Sequence, residues 1–113
     1  MKKHLSTIGL LAILSLGAAV TARASSASEI WMDSCASCHG KDGKADTKMG
    51  KKLHVKDYTD AASLAKMTDV QLTDAIAKGV VAEGKERMKG FAKELSADDI
   101  KLLVQYSRDF SKK

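Results

Sequence analysis

The sequence predicts an all-α domain of three or four helices, and three observations carry that prediction. Apolar residues recur at helical spacing in three segments that open on capping residues. No segment reads as the continuous hydrophobic strand of a parallel sheet. The chain of 113 residues is also short and poor in aromatics, with one Trp, two Tyr and two Phe. A domain of that size buries little apolar surface unaided, so its core calls for something besides side chains.

Residues 1–24 come first. Lys2, Lys3 and His4 precede an uncharged run from Leu5 to Ala22, with Leu10-Leu11-Ala12-Ile13-Leu14 at its centre and Ala22-Arg23-Ala24 at its end. A basic start, an apolar middle and a small-x-small close make an export signal cleaved after Ala24. An uncleaved anchor is the competing reading, but Ser6, Thr7, Gly9, Ser15 and Gly17 interrupt the apolar run. The expected mature domain is therefore 25–113, and the expected location is the periplasm. Processing removes three of 19 basic residues, leaving 16 against 14 acidic ones, so the mature charge is +2. Nucleic-acid binding is not indicated by so small an excess.

The first helix is expected from Ser26, with Glu29 in the capping-box position, through Trp31 to about Cys38. Ala27, Trp31 and Cys35 share one face of it. The second starts near Thr68, with Gln71 as the reciprocal cap, carries Val70, Leu72, Ala75 and Ile76, and stops at Gly79. The last starts at Ser96 and runs Ile100, Leu103, Val104 and Ser107 down one side, with Leu102, Tyr106 and Phe110 as an adjoining stripe. A weaker turn falls between Asp60 and Met67. Gly40 to Tyr58 and Gly79 to Lys93 read as irregular, and loops that long in a compact domain ordinarily serve a site.

That site is announced by Cys35-Ala36-Ser37-Cys38-His39. Thiols at i and i+3 sit near one face of a helix, where they reach both vinyl groups of one porphyrin, and the next histidine meets the iron. Cys-x-x-Cys-His therefore reads as covalent c-type haem attachment. A thioredoxin-like dithiol needs a βαβ context that is missing. A zinc site needs two further ligands, and His54 is the only other histidine after residue 24. Export agrees with the motif, because haem is joined to thiols outside the cytoplasm. The predicted fold thus becomes helices wrapped around one covalently attached haem.

With His39 on one side of the iron, Met49, Met67, Met88 and His54 are the candidates for the other; Met32 lies too near the attachment helix to cross over. Met88 is the expected ligand, because Gly84-Lys85-Glu86-Arg87-Met88-Lys89-Gly90-Phe91 has no amphipathic pattern that would make it a core residue. Met67 reads as core filler, and His54 as a solvated loop residue.

Cys35 to Gly40, Lys85 to Phe91 and Leu103-Val104-Gln105-Tyr106 together resemble the small class I c-type cytochromes. They are most similar to the small monohaem bacterial group whose domains also occur in terminal-oxidase cytochrome c subunits. The resemblance spans nearly all of 25–113. It implies a small cytochrome c fold whose first and last helices cross, with Ala27 and Trp31 meeting Tyr106. It further implies single-electron transfer and transient redox partners, with membrane respiratory complexes among the candidates and no membrane span after the signal is removed. The chain departs from the family in two ways. Lys89 follows the methionine where proline is common, and no proline carbonyl exists to orient His39, so a carbonyl of the Gly43 to Val55 loop is expected to do so.

Three functions compete on these residues. The leading one is a non-enzymatic periplasmic electron carrier with His39/Met88 ligation. The alternative is a haem enzyme or gas sensor with an open or displaceable sixth position, for which no acid–base pair is evident beyond His54. The third is a fixed subunit of a respiratory complex. Lysines between Lys41 and Lys56 and between Lys78 and Lys93 are the candidate steering charges for acidic partners, weighed against an ordinary solvated face.

Overall fold

The computed structural model describes residues 26–113 and the isolated positions Gly9, Ala12 and Gly17. The expected signal, 1–24, lies otherwise outside the described residues. The elements run α1 (Ala27–Ile30), a π-helical turn (Trp31–Cys35), α2 (Ala36–His39), α3 (Lys48–Lys52), α4 (Ala61–Ala65), α5 (Asp69–Lys78), β1 (Val80–Ala82), β2 (Lys85–Met88), α6 (Ala97–Asp109) and a closing 3-10 turn (Phe110–Lys112). The all-α expectation is thereby corrected. Five helical runs are present among the described residues, not three or four, and a two-stranded antiparallel hairpin joins them.

Local chemistry explains the starts. Thr68 and Gln71 form the expected capping box, each side chain taking the other's backbone N–H at 3.1 and 2.9 Å. Ser96 and Asp99 form another, both bonds at 3.1 Å. Such reciprocal caps satisfy two orphan donors at a helix start. At Ser26 half of the box is made: its hydroxyl accepts from Glu29 N at 3.3 Å. The first helical run is continuous from Ala27 to His39 but widens to π spacing at Trp31–Cys35, where Ala36 N–H bonds to Trp31 O. An extra residue per turn rotates everything beyond it, so the turn sets how Cys35 to His39 face the core.

The core has two parts. Ile30, Trp31, Leu103 and Phe110 form one, with Ala27 and Tyr106 packed on it. The first and last helices do cross, and Trp31 meets Tyr106 at 5.4 Å between ring centroids. Leu64, Leu72 and Val104 form the second, with Met67 against it as filler. Tyr58 and Ile76 touch both clusters. On α6, Ile100, Leu103, Val104 and Ser107 are buried as expected, but Leu102 is 50% exposed and does not extend the stripe. Arg108 binds α6 to the α4–α5 connection, donating to Asp69 Oδ1 at 2.6 Å and to Met67 O at 2.7 Å.

The stretch after the motif is short-range scaffolding. Ala45 N donates to His39 O at 2.8 Å, Thr47 Oγ1 to Cys38 O at 2.7 Å, and Trp31 Nε1 to Gly40 O at 2.9 Å. Carbonyls orphaned at the end of α2 are thus satisfied by the loop and by the core tryptophan. Close approach is the condition: a Cβ on Gly50 would stand 2.5 Å from both Cys38 O and Ala45 O. Gly50→Ala is therefore expected to destabilise the domain by about 1–3 kcal/mol, the usual cost of overpacking. A thermal melt unchanged from wild type would contradict that close packing.

Candidate functional site

Cys35, His39 and Met88 line one cleft with Trp31, Tyr58 and Ile76. Each arrives by a different route. Cys35 closes the π turn and His39 ends α2, both in the same helical run. Met88 ends β2, where it pairs with Val80 across the hairpin, and is half-buried rather than lying in an irregular loop as expected. The segment after it is pinned to the end of α5 by Phe91 N to Ile76 O at 2.8 Å and Ala92 N to Ala77 O at 3.1 Å. Gly79, at φ +82°, permits this: a Cβ there would stand 2.5 Å from Met88 O. Cys38 is half-buried in α2, three residues on from Cys35, and is not part of the cleft wall.

The remaining sequence candidates lie elsewhere. Met67 is in the second core cluster, Met49 is 40% exposed and Met32 45% exposed. His54 is exposed on its loop, with φ +55°. No group of three or more His, Cys, Asp or Glu side chains converges among the described residues, so the zinc reading finds no ligand set.

Electrostatics suit a neutral donor set. Burial pushes His39 down to about 4, so at neutral pH its imidazole is uncharged and keeps a free lone pair. Burial, and then Cys38, push the Cys35 thiol up to about 11. His39 Nδ1 is buried and has no hydrogen-bond partner among the described residues. No carbonyl of the Gly43 to Val55 loop accepts from it, contrary to expectation; Gly43 O accepts instead from Tyr58 N at 2.8 Å and Gly50 O from Val55 N at 2.9 Å.

The cleft has only about 20 Å³ free, with the Trp31, His39 and Tyr58 rings packed against one another in its wall. A larger cavity, about 600 Å³, opens to solvent between α5 and α6 and contains none of the motif residues. The fit to a porphyrin is accordingly one of donors and lining rather than of free volume. The Cys35 thiol, a neutral buried imidazole and a thioether converge among apolar walls, with the Cys38 thiol three residues on in the same helical run, and together these are the groups a covalently bound haem requires. Sequence reasoning did not include Tyr58 in the site. The one available signal was an aromatic residue, one of only five in the chain, inside a lysine-rich stretch.

The family model described as cytochrome c oxidase, cbb3-type, subunit III matches residues 22–106. The chain belongs to that family of small class I c-type cytochrome domains, whose chemistry is haem-based electron transfer. Among solved structures it is similar to the KustC0563 c-type cytochrome, at 29% identity and a TM-score of 0.68 over 76% of this chain and 98% of that one. A variant of that cytochrome with one tyrosine replaced by phenylalanine gives 29% and 0.67 over 76% and 99%. No curated protein matches.

Proposed function

We propose that this chain is a periplasmic single-electron carrier, freed of residues 1–24, with one haem joined to Cys35 and Cys38 and ligated by His39 and Met88. The observation that supports it is the meeting of Cys35, His39 and Met88, from opposite ends of the domain's sequence, in a single apolar cleft.

When bound, the haem supplies an iron that cycles between ferrous and ferric states. The chain's residues set the terms of that cycle. His39 presents a neutral imidazole, and Met88 a thioether, which favours the ferrous state and raises the reduction potential. Leu72, Ile76 and Trp31 line the cleft and keep water from the ligands. Both ligands sit on braced segments, α2 by its satisfied carbonyls and Met88 by its ties to α5, so the change of charge calls for little rearrangement. Exposed Lys41, Lys44, Lys48, Lys52 and Lys56 supply positive charge for transient docking to acidic redox partners. The family's oxidase description makes respiratory membrane complexes the partners to try first. No helix among the described residues is long and apolar enough to cross a membrane.

Among the described residues no carboxylate lines the cleft to form an acid–base pair for peroxide chemistry, and the carrier reading is preferred to the enzyme or sensor reading. A spectroelectrochemical titration of the haem-loaded protein tests the choice. A reversible one-electron transition, low-spin at both ends and inert to carbon monoxide, is the expected result. Rapid binding of carbon monoxide by the reduced protein would favour the open-iron alternative.

A further inference from the structure

A metal-bound imidazole is ordinarily oriented by a hydrogen bond from its second ring nitrogen, which fixes the ring plane and raises its donor strength. His39 lacks that device among the described residues: Nδ1 is buried and no protein group accepts from it. The carbonyls of its own turn are engaged elsewhere, His39 O with Ala45 N, Gly40 O with Trp31 Nε1 and Cys38 O with Thr47 Oγ1.

Rings surround the imidazole instead. Tyr58 stacks on it with centroids 5.1 Å apart and planes 30° apart. Trp31 lies 5.4 Å away at 47°, and the two aromatics are 6.4 Å from each other, so the three rings form a closed triangle. Both partners are themselves fixed. Trp31 is 2% exposed and held by its bond to Gly40 O and by Phe110 at 4.9 Å. Tyr58 packs between the two core clusters, and its backbone N–H donates to Gly43 O at 2.8 Å.

We infer that Tyr58, braced by Trp31, is the positioning residue that sets the plane of the His39 imidazole by ring packing, in place of a hydrogen bond. The inference rests on the reading of His39 as an iron ligand. Its chemical consequence is a less electron-rich imidazole, since no acceptor draws on the Nδ1 proton. Loss of the Tyr58 ring removes the stacked face and leaves Trp31 as the remaining ring against His39.

Two measurements on the haem-loaded protein test it. In the first, low-temperature electron paramagnetic resonance of the ferric form compares wild type, Tyr58→Phe and Tyr58→Met. Tyr58→Phe keeps the ring and is expected to retain the wild-type g values. Tyr58→Met keeps volume without a ring and is expected to shift or broaden them, a change that lowered stability by itself does not produce. Wild-type g values in a folded, haem-loaded Tyr58→Met would overturn the inference. The second needs no variant, and so decides the matter if Tyr58→Met fails to load haem. In reduced, diamagnetic wild type, the Nδ1 proton of His39 is expected without the strong downfield shift of a hydrogen-bonded proton, and such a shift from a protein acceptor would contradict the claim. Failure of the underlying ligand assignment looks different, because wild type itself would then lack a low-spin histidine-ligated signal.

Discussion

Cys35→Ala and Cys38→Ala are each expected to lower the yield of covalently bound haem severely, and the double variant to abolish it. The chain has no other thiol, so neither loss can be made good elsewhere. Both sit in one helical run whose rotation is fixed by the π turn that ends at Cys35 and whose end is tied down by Thr47, Ala45 and Trp31. A single remaining thiol leaves one vinyl group unsaturated, so haem that does attach should show a red-shifted pyridine haemochrome band. Haem staining of denaturing gels reads the yield, and the haemochrome reads the number of links. Wild-type yields from both single variants would remove the basis for covalent attachment at this motif. The cost should extend to the fold, because so small a core is completed by its cofactor.

The second large effect is expected at Met88. Met88→Ala should leave the haem covalently bound yet strip the iron of its sixth ligand, giving a high-spin or water-ligated spectrum. Thioether ligation favours ferrous iron, so the potential should fall by on the order of 0.1–0.3 V, within the roughly 0.8 V that axial ligation spans. Met88→His separates ligand chemistry from packing: it should restore a low-spin spectrum at a potential still below wild type. The assignment depends on position as much as on chemistry. Met88 faces the cleft because β2 pairs with β1, and because Gly79 lets the chain pass close beneath its carbonyl. An unchanged spectrum in Met88→Ala would transfer the ligand role to a residue outside the cleft.

The features legible in the sequence were those written in local chemistry. Thr68 with Gln71 and Ser96 with its amphipathic run located α5 and α6, because a cap and a helical stripe require no partner to be recognised. The attachment motif was legible because its spacing alone meets the geometry of a porphyrin. The hairpin was not. Val80, Val81 and Ala82 are exposed with no alternation, and the two-residue turn uses Glu83 and Gly84, both at positive φ, rather than the Asn-Gly pair that signals such turns. The short α3 was equally hidden, since its cap Thr47 is positioned by donating to Cys38 O, a contact that exists only once the loop folds onto α2. Tyr58 escaped for the same reason: its site role comes from stacking on His39, which nothing in its neighbourhood of the sequence foretells.

The carrier reading is tested most directly by the optical spectrum of the purified, haem-loaded protein, oxidised and then reduced. Covalent haem held between His39 and Met88 predicts sharp low-spin bands on reduction and, in the oxidised form, the weak near-infrared band of methionine–iron charge transfer. A high-spin spectrum without that band would contradict His/Met ligation and bring forward an iron open to substrates or gases.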